Sequence, residues 1–62
     1  MADLWPVTID EEIASVAREI GLRERVYPGW VRAKRMSQDR ADREIQAMKA
    51  VLERLTKIKE AG

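Results

Sequence analysis

The sequence predicts an all-α fold, an antiparallel two-helix hairpin with a Pro-Gly bend. Capping motifs open at Thr8 and Ser37, and each is followed by apolar residues at alternating spacings of three and four. A Tyr27-Pro28-Gly29 break lies between the two patterns. Two helices with a short connection pack antiparallel and enclose little apolar surface. We therefore expect self-association to complete a helical bundle.

The composition allows one small domain, spanning residues 1–62, and excludes most catalytic chemistry. Apolar residues make up 45% of the chain and charged residues 37%, which is typical of a folded domain and not of a disordered segment. Cys and His are absent, so disulfides, the usual zinc ligands and most nucleophilic or acid–base sites are excluded. We expect no enzyme activity, no metal and no cofactor.

The start of the chain predicts no membrane or export signal. No apolar run approaches the roughly 20 residues of a membrane span, and the acidic start lacks the pattern of a signal peptide. The expected location is the cytoplasm. Residues 1–7 read as an extended lead-in, in which Leu4, Trp5 and Val7 suit either docking on a neighbouring subunit or packing on their own hairpin.

The first helix is predicted over residues 8–27. The Thr8 hydroxyl and the Glu11 carboxylate form a capping box, in which each side chain accepts from the other residue's amide. Gly21 fits either a continuing helix, which the return of the apolar phase at Tyr27 favours, or a C-cap. One face of this helix carries the apolar residues Ile9, Ile13, Val16 and Ile20.

A bend is predicted over residues 28–36. Pro28 lacks an amide hydrogen and disfavours helical geometry in Tyr27, and Gly29 adds flexibility. Pro28 also suits the first position of a short helical turn within this bend.

The second helix is predicted over residues 38–60, with Ser37 as its N-cap and Asp39 in its first turn. Val51 and Ile58 flank its apolar stripe. The stripe itself has a coiled-coil-like spacing and consists of Ala41, Ile45, Met48, Leu52 and Leu55.

The bend has the most unusual composition of the chain. Residues 25–35 contain four cations and no acid, together with the only Tyr and one of the two Trp residues. A rigid aromatic side chain beside guanidinium groups is a common anchor for proteins, and Arg with Trp also suits phosphates and bases. The candidate partner- or ligand-binding residues are therefore Arg25, Tyr27, Trp30, Arg32, Lys34 and Arg35.

A structural role for the same residues stays open. Tyr27, Trp30 and Val31 can close the end of the bundle, with the stems of the basic side chains lying across them. Nucleic-acid binding is disfavoured, because the acidic start and the acids of the second helix oppose a long polyanion.

Around the bend, several segments match a recurrent pattern: Arg23-Glu24-Arg25-Val26-Tyr27-Pro28, Trp30-Val31, Arg35-Met36-Ser37, Ala41-Asp42-Arg43-Glu44-Ile45 and Met48. In this pattern the chain resembles a family of small helical proteins from phages and prophages of proteobacteria. The resemblance covers about the middle half of the chain, and its members tend to have glycine where this chain has Lys34. It brings no function with it and implies only a phage context, with the host-cell cytoplasm as location.

Together these observations favour a non-catalytic binding protein that captures or inhibits a host partner through the bend. One alternative is a sponge-like binder of a small nucleotide signal held between subunits. The other is a purely structural oligomerisation module. A homo-oligomer is expected in each case, and a membrane partner in none.

Overall fold

The computed structural model describes residues 6–62, which form two helices of 24 residues each. α1 spans Ile9–Arg32 and α2 spans Gln38–Ala61, and the two pack against each other along their length. The described residues include no strand. The prediction of an all-α helical hairpin is therefore confirmed. The predicted lead-in falls mostly on residues 1–5, which lie outside the described residues.

The start of α1 confirms the predicted capping box. The Glu11 amide donates to the Thr8 hydroxyl at 3.1 Å, and the Thr8 amide donates to the Glu11 carboxylate at 2.8 Å. Asp10, Glu11 and Glu12 lie in the first turn, where negative charge is stabilised by the helix dipole. The helix then continues through Gly21 without interruption, as the apolar phase predicts.

α1 does not end at residue 27, and the prediction of a Pro-Gly bend was wrong. The helix continues through Pro28 and Gly29 to Arg32. Proline removes one intrahelical hydrogen bond but has a φ that a helix accepts, so its cost can be outweighed by packing. Pro28 lines a cleft with Ala41 and Ile45 of α2, which shows that the last turns of α1 still pack on α2.

The actual turn is short and lies between Ala33 and Ser37. The Arg35 amide donates to the Trp30 carbonyl at 2.9 Å, and the Lys34 amide donates to the Val31 carbonyl at 3.0 Å. This pair of bonds is a Schellman motif, which requires a left-handed residue after the helix. Lys34 takes that conformation with φ of 61°.

The start of α2 matches its prediction. The Arg40 amide donates to the Ser37 hydroxyl at 3.1 Å, so Ser37 is the N-cap. The helix ends at Ala61, one residue beyond the predicted boundary.

The core between the helices is small. Ile20, Tyr27 and Ala41 are the buried apolar residues of the described chain. The rest of the predicted stripes is half-buried, which includes Ile9, Ile13, Val16, Ile45, Met48, Leu52 and Leu55. Each helix therefore covers one side of the other's apolar surface and leaves the flanks open.

We expect Lys34→Gly to raise the free energy of unfolding by about 0.5–1 kcal/mol. A left-handed conformation costs a residue with a Cβ about 1–2 kcal/mol, and the greater freedom of glycine in the unfolded chain offsets part of the gain. Urea unfolding followed by circular dichroism measures the change. Lys34→Ala is the control, because it removes the charge and keeps the strain; an equal gain from alanine would contradict this explanation.

Candidate interaction surface

The two aromatic residues of the predicted site have different environments. Tyr27 is 8% exposed and lies in the core against α2, whereas Trp30 is 42% exposed. Their ring centroids are 5.7 Å apart with an angle of 34° between the planes. Tyr27 is thus a packing residue that supports Trp30, and only Trp30 is accessible as an anchor.

The four cations of the predicted site are not gathered around Trp30. Successive residues of a helix are about 100° apart, so Arg25 lies about 140° and Arg32 about 160° around α1 from Trp30. Both point to the opposite flank of the helix. Lys34 and Arg35 lie in the turn. The structure therefore divides the six predicted residues among the core, two flanks of α1 and the turn.

The turn end of the hairpin is nevertheless basic. Arg32, Lys34 and Arg35 are exposed, and within residues 6–62 none of them has a carboxylate within 4.0 Å. We call these three residues the basic turn.

Ion pairs between the helices identify two sides of the hairpin. On one side, Arg23 donates to Glu44 of α2 at 3.2 Å and to Glu19 of its own helix at 3.0 Å. On the other side, Glu24 of α1 pairs with Lys49 of α2 at 3.3 Å. Arg23 and Glu24 are adjacent in the chain and so point to different flanks. The two ion pairs therefore mark the two sides of the hairpin.

The Arg23 side of α1 carries an apolar stripe. Leu22, Val26 and Trp30 follow one another at intervals of four residues, and Trp30 lies seven residues after Arg23. With Glu19, Arg23 and Tyr27 they line a shallow groove of about 300 Å³.

The same side of α2 carries two further apolar residues. Val51 and Ile58 lie seven and fourteen residues after Glu44, so they project from the same flank as that carboxylate. All large apolar side chains exposed on the two helices, Leu22, Trp30, Val51 and Ile58, are therefore on one side of the hairpin, each 40% to 60% exposed. We call Leu22, Val26, Trp30, Val51 and Ile58 the apolar face.

Sequence reasoning identified Trp30 in this face but did not include the other four residues in the site. Val51 and Ile58 were assigned as flanks of the second helix's stripe. Leu22 and Val26 could have been found from the sequence, because they precede Trp30 at intervals of four residues. Together the three residues form a second apolar stripe beside the inward-facing stripe of α1.

Arg23, beside the apolar face, is paired with two carboxylates. The hydrogen bond that it donates to Glu19 raises the pKa of Arg23 above its ordinary value, and the nearby Glu44 carboxylate acts in the same direction. The guanidinium therefore stays protonated throughout the physiological range. Because it already contacts two carboxylates, this cation does not need a charged group from a partner.

No group of three Asp or Glu side chains within 6–62 is placed to hold a metal ion. Neither of the two helices is long and apolar enough to cross a membrane.

Comparisons with protein-family models, with curated proteins and with solved structures find no match to this chain.

The different environments of the predicted site residues lead to a stability prediction. We expect Tyr27→Ala to lower the free energy of unfolding by about 3 kcal/mol, because it leaves a cavity between the helices. Arg25→Ala, on the exposed flank, is expected to change it by less than about 0.5 kcal/mol. Thermal and urea unfolding measure both changes.

Tyr27→Phe is the matched control, since it keeps the ring and removes only a hydroxyl that has no hydrogen bond with the described residues. A loss in Tyr27→Phe as large as in Tyr27→Ala would show that packing is not the role of Tyr27.

Proposed function

We propose that this chain is a non-catalytic protein-binding module that docks on an apolar, helix-lined surface through its apolar face. The single observation that carries the proposal is the placement of Leu22, Trp30, Val51 and Ile58 on one side of the hairpin. Single exposed apolar residues scattered over a surface are ordinary on soluble proteins, whereas here every large exposed apolar side chain of the two helices lies on one side. The opposite side carries the Glu24–Lys49 ion pair and none of these residues.

Trp30 has the properties of an interface anchor. Its ring lies against the buried Tyr27, and its backbone carbonyl accepts from the Arg35 amide in the turn. Both contacts hold the residue in place before any partner arrives, which lowers the entropy lost on binding. Exposed, preorganised Trp residues are frequent hot spots of protein interfaces.

The chemistry of the face favours a protein over nucleic acid. Glu19 and Glu44 lie beside it and would repel phosphate groups, while Arg23 is already paired with both. The resemblance to phage proteins makes a host protein one natural class of partner. The proposal thus keeps the expected capture of a partner and moves its site from the bend to the apolar face.

Site-specific photo-crosslinking tests the proposal. We expect a benzophenone side chain at Leu22 or at Val51 to form crosslinks to a protein in living cells, because both positions are covered in the bound state. The same probe at Ala17 or Ala50 serves as the control, since both residues are exposed. Ala17 lies about 140° or more around α1 from the apolar residues of that helix, and Ala50 lies on the side of α2 turned away from α1. Mass spectrometry of the adducts identifies the partner. Equal labelling at all four positions, or none at Leu22 and Val51, would refute the proposal.

The basic turn supports a second candidate function, the binding of an anionic ligand such as a small nucleotide. The observation that favours it is the lack of any carboxylate within 4.0 Å of Arg32, Lys34 and Arg35 in the described part of the chain. Arginine side chains bind phosphate through paired hydrogen bonds, and within residues 6–62 the side chains of Arg32 and Arg35 make no hydrogen bond.

A panel of nucleotides tests this candidate by thermal unfolding. A ligand present at about 100 times its dissociation constant is expected to stabilise the fold by about 2.7 kcal/mol. Arg32→Ala with Arg35→Ala should abolish the shift, whereas Arg54→Ala, an exposed cation of α2 far from the turn, should not. The candidate is rejected if no nucleotide shifts the melting temperature, or if the double variant responds like the wild type.

A further inference from the structure

We propose that the occupant of the apolar face is a second copy of this chain, so that two hairpins form a dimer with a four-helix core. This inference rests on the proposed docking function and names its partner. It is argued from the burial within one hairpin, from its total surface and from the layout of the apolar face.

Burial within one hairpin is incomplete. Among residues 6–62 only Ile20, Tyr27 and Ala41 are buried, and no side chain there is less than 2% exposed. Half-buried residues such as Met48 and Leu55 lie beside Val51 and Ile58 on α2, so a cover over the apolar face would bury both sets. A partner that completes the core must be present whenever the chain folds. A second copy meets that condition without any other protein.

The total surface gives an upper value for the area that a second copy could cover. The chain exposes 5258 Å², residues 1–5 included, whereas a folded monomer of 7.2 kDa is expected to expose about 4100 Å². Each partner buries roughly 800 Å² in a standard interface, which lies below this excess of about 1100 Å². Because residues 1–5 contribute part of the excess, the interface is located from the described residues alone.

The layout of the face defines how two copies can meet. Leu22, Val26 and Trp30 lie towards the turn on α1, whereas Val51 and Ile58 lie towards the open end on α2. Because Arg23 and Glu44 form an ion pair, we place them at the same height along the hairpin axis. The two groups are then about 20 Å apart along the helices. They are about 9 Å apart across them, the usual interaxial distance. The apolar face is therefore diagonal.

A diagonal face excludes simple stacking of aligned hairpins. In that arrangement each apolar group would meet polar positions of the other copy, such as Ser15 and Glu19 on α1 or Arg40 on α2. A two-fold axis that lies in the plane of the interface, along the line joining the two groups, instead places each group against the same group of the other copy. The hairpins then cross at about 50°, which is the magnitude of the commonest class of helix packing.

Sedimentation equilibrium of the full chain over a wide concentration range tests the inference. We expect the wild type to have twice the mass of the 7.2 kDa chain and to dissociate on dilution. Val51→Glu and Leu22→Glu should raise the dissociation constant of the dimer at least about 100-fold, because each buries an unpaired carboxylate in the interface. Their matched controls Ala50→Glu and Ala17→Glu, on exposed positions away from the face, should change it less than about threefold.

Circular dichroism checks whether each variant keeps its helices, and the mass of the wild type tests the inference independently of the variants. A wild type that is monomeric at every concentration would overturn the inference. So would a dimer that Val51→Glu leaves intact, or one that Ala50→Glu disrupts equally.

The inference and the proposed function fail in different ways. A monomeric chain that crosslinks to another protein at Leu22 and Val51 refutes the dimer and leaves the docking function in place. A monomeric chain with no crosslinks at these positions refutes both.

Discussion

The limited amount of apolar surface that two helices can hide from water governs the rest of this structure. A helix packed on a single neighbour buries one stripe and leaves its flanks in solvent. In this hairpin that stripe includes Ile20, Tyr27 and Ala41, and the adjacent apolar side chains remain half-buried or exposed. The exposed side chains fall on one side because both helices extend their apolar pattern towards the same flank. The apolar face is therefore a consequence of building a domain from two helices.

Two local features of the turn region act against ideal helix geometry. Pro28 removes a hydrogen bond within α1, and Lys34 takes a left-handed conformation that favours glycine. Both are tolerated because the last turns of α1 place Tyr27 and Val31 against α2, and the Schellman motif satisfies the carbonyls at the helix end. The same arrangement fixes the backbone of Trp30. The turn thus links the end of the core to the principal side chain of the apolar face.

The charged side chains of the hairpin form separate groups. Arg23 contacts Glu19 and Glu44 beside the apolar face, and this network lies on the hairpin side opposite the Glu24–Lys49 pair. Exposed pairs of this kind contribute little to stability, but they distinguish the two sides and fix how the helices align. The basic turn lies apart from this network. An apolar contact and an anionic contact can therefore be made at separate places on the same hairpin.

The sequence by itself determined the two helix starts, the antiparallel hairpin and the stripes that face inward, because caps and periodicity depend on neighbours a few residues away. It did not determine the end of α1, since the cost of Pro28 is balanced by contacts with α2 that local patterns do not contain. The sequence also did not decide which of the two aromatic residues is buried. Tyr27 is in the core and Trp30 is not, although they are only three residues apart. Only the tertiary structure decided this, because it sets which direction of α1 meets α2. The continuation of α1 through Pro28 placed Arg25 and Arg32 on the flank opposite Trp30. The packing of the two helices brought Val51 and Ile58 of α2 to the same side as Leu22 and Trp30.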